Sequence, residues 1–281
     1  NGALPLPTPI MRDAPAIREA LVESLDHDGR GVSHVDGKTI FIEGALPGER
    51  VRFASYKVKP NYEQAEVVRV LEASSQRVAP ACEYFGVCGG CSMQHLEPSA
   101  QVAAKQRVLE NALWHIGRVR PEVLYPAIVG PAWGYRYRAR LTVRQVPSKG
   151  GILIGFHERR SSYISDMRRC PILPPHVSAL LPGLHELVGA LSIPDRIPQI
   201  EVAVGEGITV LVFRHLLPLT KKDEVALRAF GETAGVQIWL QLAGPDSCRR
   251  LHPADAPGLA YTLPEFGVSM AFRPTDFTQV N

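Results

Sequence analysis

Four cysteines constrain this chain more than any other feature: Cys82-x5-Cys88-Gly89-Gly90-Cys91 and, far downstream, Cys170-Pro171. Three thiols close in sequence and one distant thiol make a four-ligand set, the number that cubane iron–sulfur clusters take. A fold that gathers them must bring the segment bearing Cys170 back onto the Cys82–Cys91 loop. Gly89 and Gly90 let that loop curl tightly and turn backbone N–H groups toward sulfur. A proline directly after the last cysteine also occurs in ferredoxin spacing. Zinc is the rival, since it too takes four cysteines. Its structural sites usually present two C-x2-C pairs, however, and Cys170 stands alone. Unrelated buried cysteines are the third reading. A fifth cysteine, Cys248, sits in a polar loop beside Arg249 and Arg250, which would lower its pKa. No base accompanies it, so it reads as an incidental thiol and not a nucleophile. An odd number of cysteines without a secretory signal argues against a disulfide framework and for a reducing, cytoplasmic setting.

At 281 residues, 45% hydrophobic and 21% charged, the chain has room for two globular domains. Glycine and proline number 24 each, which predicts many turns and short elements instead of a long helical bundle. No apolar run approaches the roughly 18 residues that cross a bilayer, so no membrane partner is expected. Residues 1–10 are apolar, but Pro5, Pro7 and Pro9 break the run and no basic flank precedes it, unlike a secretory signal. Lacking an initiator methionine, this start reads as a cut end, and residues 1–11 read as a disordered leader.

Residues 12–72 read as a small β-barrel of the OB-like kind. An alternating stretch over 16–25 leads into a glycine-rich turn at 28–31, and strands follow over 39–42, 51–56 and 65–71. Closure removes exposed edges, and such barrels bind nucleic acid in some proteins and not in others. Residues 77–118 read as the cysteine loop and a helix from Pro98 to Gly117. His95 there reads either as a hydrogen-bond partner of a metal ligand or as the cap of that helix. Residues 119–273 read as a central α+β domain with a mainly antiparallel sheet. Its strands are placed over 136–146, 152–157, 200–204, 208–213, 236–242 and 268–272, and its helices over 176–191 and 221–234. Residues 274–281 read as the start of a linker.

The net charge of +3 says little, but its distribution says more. Residues 133–169 hold nine basic side chains against two acidic ones, so that segment carries +7 and the remainder −4. A concentrated basic stretch on a nearly neutral chain suits phosphate binding, with solvated strand faces as the bland alternative. On a strand over 136–146, Arg136, Arg138, Arg140 and Arg144 share one face, and Tyr135, Tyr137, Leu141 and Val143 point to the other. The arginine face is predicted to meet RNA phosphate, and Tyr137 to pack in place of stacking on a base.

The string Phe85-Gly86-Val87-Cys88-Gly89-Gly90-Cys91-Ser92-Met93-Gln94-His95 resembles the cluster loop of bacterial ribosomal RNA uracil-5 methyltransferases of the RlmD type. Trp133-Gly134-Tyr135-Arg136-Tyr137-Arg138-Ala139-Arg140-Leu141 is similar to their central basic strand, and Arg169-Cys170-Pro171-Ile172-Leu173 to the segment giving the fourth ligand. Phe277-Thr278-Gln279-Val280-Asn281 resembles their F-x-Q-V-N, and the barrel resembles their TRAM module. The resemblance covers nearly the whole chain, with the motifs in family order. It implies a [4Fe-4S] cluster on Cys82, Cys88, Cys91 and Cys170, with S-adenosylmethionine touched by Gln279. It also implies 23S ribosomal RNA, at a single-stranded or looped uridine, held by the TRAM barrel and central domain of a monomeric cytoplasmic enzyme that makes 5-methyluridine.

The family's Rossmann-like methyl-donor domain, with its Gly-rich loop, Ser-Cys-Asn-Pro nucleophile and catalytic glutamate, finds no counterpart. Gly205-Glu206-Gly207 reads as a hairpin turn, because a strand follows where a helix N-terminus is required. The expectation is therefore that this domain is absent. The chain is then the RNA-binding and cluster-holding front portion of the enzyme, without catalytic residues and inactive alone. A standalone RNA-binding protein with a structural four-cysteine metal site, and an electron-transfer protein, remain as other readings.

Overall fold

Strand-forming runs separated by glycine turns build the first of two units in a computed structural model that describes residues 16–278. This unit comprises the chain through residue 79 together with residues 92–127. Its strands are β1 (Ile17–Leu21), β2 (Ser24–Leu25), β3 (Gly31–Val35), β4 (Lys38–Glu43), β5 (Arg50–Val58) and β6 (Tyr62–Glu72). They hydrogen-bond in the order β1-β5-β6-β4-β3-β2, antiparallel except for β4 and β6. The two ends of that order are consecutive in sequence, and Ser33 Oγ of β3 donates to Leu21 O of β1 at 2.8 Å, which draws the ends of the sheet together. Val22 N–H donates to Glu49 O at 2.8 Å and Glu23 N–H to Val32 O at 2.8 Å along the seam. Ile40, Ile42, Val51, Phe53 and Ala65 fill the interior. Gly31 is required at the seam, because a Cβ there would lie 2.8 Å from the Val22 side chain.

Glu49, wholly buried, fastens the chain that leaves the barrel. Its carboxylate accepts from Arg77 Nε at 2.6 Å and Nη2 at 2.7 Å, and from the N–H groups of Leu46 and Ser74. Burial alone would raise its pKa, but these donors hold it below the usual carboxylate range. Helix α1 (Pro98–Asn111) continues as a π turn over Ala112–Ile116. Its cap is Glu97, whose carboxylate accepts from the N–H groups of Ser99 and Ala100, and not His95.

The second unit comprises residues 80–91 and the chain from 128 onward. Its strands are β7 (Arg138–Val146), β8 (Gly151–His157), β9 (Ile164–Asp166), β10 (Gln199–Val204), β11 (Thr209–Arg214), β12 (Gln237–Gln241) and β13 (Arg249–His252). They form one sheet in the order β13-β12-β11-β10-β7-β8-β9, antiparallel except for β11 and β12. A separate hairpin pairs β14 (Leu259–Leu263) with β15 (Val268–Phe272). The helices are α2 (Pro175–Ser178), α3 (Leu181–Ala190) and α4 (Lys221–Ala234). Leu184, Val188 and Leu227 from the helices pack against Leu141, Ile154, Ile200, Val202 and Phe213 of the sheet. The helix expected over 176–191 is two helices. Pro182 has no N–H to return to the carbonyl of residue 178, so the first helix ends and a new one begins. Among the described residues no helix is long and apolar enough to cross a membrane.

Candidate metal centre and basic sheet face

Tight turns fold the cysteine loop: Phe85 N–H donates to Cys82 O at 3.1 Å, and Cys88 N–H to Tyr84 O at 2.8 Å. The loop then lies against the end of β8. Gly89 N–H donates to His157 O at 2.9 Å and Arg159 N–H to Val87 O at 2.8 Å. Side chains at Gly89 and Gly90 would crowd their neighbours: a Cβ at the first would be 3.0 Å from His157 O, and at the second 3.2 Å from the Phe156 ring. Gly90 N–H points to Cys88 Sγ at 3.4 Å. The segment of Cys170 is laced to this loop by Arg168 N–H, which donates to Tyr84 Oη at 3.1 Å, and by Arg169 Nη2, which donates to Ala81 O at 3.3 Å. Cys170 N–H itself donates to Ser178 Oγ at 2.9 Å. Upstream of β7, Gly134 N–H and Arg136 N–H donate to Pro171 O and Ile172 O, so the Trp133–Arg136 motif runs beside the Cys170 segment.

All five cysteines are free thiols. Cys88 and Cys170 are buried, and Cys82 and Cys91 are half-buried. Burial pushes Cys170 up to about 11 and raises Cys88, and the charges of Cys91 and Cys82 push both further in the same direction. Among the described residues, the metal-donor groups whose ligand atoms all lie within 4.8 Å of one another are Asp26, His27 and Asp28, on a largely exposed turn. No three cysteine sulfurs among those residues approach so closely. A tetrahedral zinc with bonds of about 2.3 Å would draw its sulfurs to about 3.8 Å from one another.

On the sheet face away from the helices, Glu201 of β10 organises the arginines of β7. Arg138 Nη2 donates to Glu201 Oε2 at 3.2 Å, Arg140 Nη2 lies 3.2 Å from Oε1, and Gln199 Nε2 donates to Oε1 at 2.7 Å. Arg138 is largely buried and burial lowers its pKa, whereas the Arg140 side chain is 69% exposed. Arg136 precedes the strand and lies over the Phe156 ring, 5.0 Å from its centre, instead of lining the β7 face. Arg144 is exposed and reaches Ser162 O at 3.5 Å. Tyr137 is half exposed, while Leu141 and Val143 are buried. Cys248 does not gain acidity from its arginine neighbours: burial pushes its pKa up to about 11, and Glu201 adds to the effect. Gln279 and the leader over residues 1–11 lie outside the described residues. Sequence reasoning passed over Glu201, whose partners become visible only through strand register, and counted Arg159 only as part of the basic stretch, because its partners are carbonyls of a loop far away in the chain.

The TRAM domain family matches residues 16–68. A 23S rRNA (uracil(1939)-C(5))-methyltransferase RlmD from Aromatoleum aromaticum is 67% identical over 262 residues, covering 93% of this chain and 60% of that protein. The protein of that name from Azoarcus sp. is 67% identical with the same coverage, and one from Bordetella pertussis is 61% identical over 92% of this chain and 56% of its own length. This chain thus spans about 60% of the length of these relatives. In fold it is similar to the Pyrococcus abyssi tRNA (uracil-54, C5)-methyltransferase in complex with S-adenosyl-L-homocysteine. The TM-score is 0.61 at 17% identity, over 94% of this chain and 61% of that one. These alignments overturn the expectation of an inactive front portion from which the Rossmann-like methyltransferase domain is absent, and the standalone RNA-binding alternative with it. Likeness in sequence to the RlmD-type methyltransferases runs through 93% of the chain, and likeness in fold to the solved structure through 94%.

Proposed function

We propose, from the premise that this chain belongs over the length it spans to the RlmD-type 23S rRNA uracil-C5 methyltransferases, that it acts as an S-adenosylmethionine-dependent methyltransferase forming 5-methyluridine in ribosomal RNA. The observation that carries this reading is the 67% identity over 93% of the chain, together with the TRAM match over residues 16–68. In this reading the enzyme is cytoplasmic and monomeric. When bound, S-adenosylmethionine supplies the methyl group, and Gln279 contributes to its site.

Uracil C5 accepts a methyl group only after a thiolate has added to C6, and the target base must leave its stack to be reached. The described residues serve the holding of RNA that this demands. Arg140 and Arg144 present exposed guanidinium groups to phosphate, and the barrel provides a second RNA-facing module. Arg138, held by Glu201, keeps that sheet face in register. Cys82, Cys88, Cys91 and Cys170 are assigned to a [4Fe-4S] cluster that ties the Cys170 segment to the loop. The donor set supports this reading: the Cys170 segment is hydrogen-bonded to the loop of the other three cysteines through Arg168 and Arg169, and a backbone N–H is directed at Cys88 Sγ.

The test is methyl transfer from labelled S-adenosylmethionine to 23S rRNA that lacks the modification, with iron and sulfide measured on anaerobically purified protein. Label incorporated at a uridine C5, with iron and sulfide near four each per chain, is expected. Active protein that is colourless and binds zinc would remove the cluster, and no transfer to 23S rRNA would remove the substrate.

A further inference from the structure

The side chain of Arg159 touches the cysteine loop in three places. Its Nη2 donates to Cys91 O at 2.5 Å, and its Nε reaches Cys88 O at 3.5 Å. Its guanidinium carbon lies 5.3 Å from the centre of the Phe85 ring. The backbone of residue 159 is tied to the same loop through Val87 O, so the guanidinium enters from a fixed root. Arg159 belongs to the basic stretch that the charge pattern offers to RNA, yet its Nη2 and Nε point to the carbonyls of two cysteines.

We propose that Arg159 is a positioning residue for the cluster, clamping the carbonyls of two ligand cysteines and balancing the negative charge of the four thiolates. The proposal rests on the assignment of Cys82, Cys88, Cys91 and Cys170 as cluster ligands. Cys88 and Cys91 bracket Gly89-Gly90, where the backbone has most freedom to lose. One planar guanidinium spanning both carbonyls fixes their separation, and therefore where the two sulfurs stand before any metal arrives. Lysine carries the charge but cannot bridge two acceptors as a rigid fork. The charge matters as well, because four thiolates around a cubane core leave a net negative group in a buried place, which needs a nearby cation. Arg159 supplies it at the loop itself, and a second guanidinium, Arg136, lies over the Phe156 ring that Gly90 packs against.

The experiment compares anaerobically purified wild-type protein with Arg159→Lys and Arg159→Met. It reads iron and sulfide per chain, the rate at which an iron chelator bleaches the visible band, and the cluster's reduction potential. Arg159→Met is expected to bleach about tenfold faster or more, the usual cost of losing a partner that orients metal ligands. Its potential should fall, because a neighbouring positive charge that favoured the reduced form is gone. Arg159→Lys should restore the potential while still bleaching faster than wild type, a split that a purely structural arginine would not produce. If Arg159→Met does not fold, Arg159→Lys alone must show fast bleaching at unchanged potential. Equal bleaching rates and equal potentials in wild type and Arg159→Lys would overturn the proposal. Wild-type protein without iron and sulfide would instead overturn the cluster assignment on which it rests.

Discussion

Glu201 divides the arginines of β7 between two tasks. Its carboxylate is nearly buried and takes Arg138, which is itself sheltered, while Arg140 meets the same carboxylate from solvent. Removing the carboxylate strands the Arg138 charge in a half-dry place. Glu201→Ala is therefore expected to destabilise the protein by about 3 kcal/mol, read from urea unfolding. Arg140→Ala should move stability by no more than about 1 kcal/mol, since exposed ion pairs contribute little. It should lower the salt slope of RNA binding by about 0.7, the share of one phosphate contact on a single strand. An unchanged slope would mean that Arg140 does not face RNA. The alternation of residues 136–144 makes the arginine face visible in the sequence, because the period of a strand is two. Which of those arginines is free is not visible. That depends on the pairing of Glu201 with Arg140 across β10 and β7, a contact between residues far apart in the chain. The cysteine set is legible for the opposite reason: thiols are few, and their spacing within one loop is local. Arg159 carries no such mark, being one basic residue among nine.

At the scale of elements, short strand β9 exists because residue 155 is glycine. A Cβ there would stand 1.9 Å from Ser165 O, inside the distance of any real contact, so β9 could not pair with β8. Gly155→Ala is expected to cost about 3 kcal/mol, in the range of overpacked cores, and to release the segment that leads to Cys170. Thermal unfolding checks it, and a melting temperature equal to wild type would contradict the placement of β9. Helix α4 offers a prediction in pH. Asp223 closes a capping box with Thr220 and also accepts from Ser192 N–H at 2.8 Å. Burial would raise its pKa, but these hydrogen bonds outweigh burial and bring it from 3.8 to about 2. A depressed carboxyl contributes stability above its unfolded pKa, and that contribution drains away as pH falls from about 4 toward 2, by about 2 kcal/mol in all. Asp223→Asn should flatten that part of the acid unfolding curve. The capping box is plain in the sequence as Thr220-Lys221-Lys222-Asp223, since caps are local. The break at Pro182 was equally local, yet the apolar period continuing through Leu184 and Leu187 masked it and one long helix was expected.

For the whole molecule, the division of the chain has an experimental consequence. Residues 80–91 fall in the unit of the seven-stranded sheet, whereas residues 92–127 fall with the barrel, although the two stretches adjoin. No spacing in the sequence announces that division, because it depends on which surface each stretch meets after folding. All four cysteines of the proposed cluster therefore belong to one unit, and the core of Ile40, Ile42, Val51 and Phe53 shares no buried residue with the core holding Cys88 and Cys170. Removing iron should then act on one unit alone. Hydrogen exchange makes this measurable: after chelation, amides over residues 80–91 and 167–173 should exchange faster, while those of β4 and β5 keep their protection. The ligand-linked stability vanishes only where the ligand bound, and a barrel closed by its own seam has no thiol to lose. Barrel amides that lose protection together with the cysteine loop would show that the two cores fold as one.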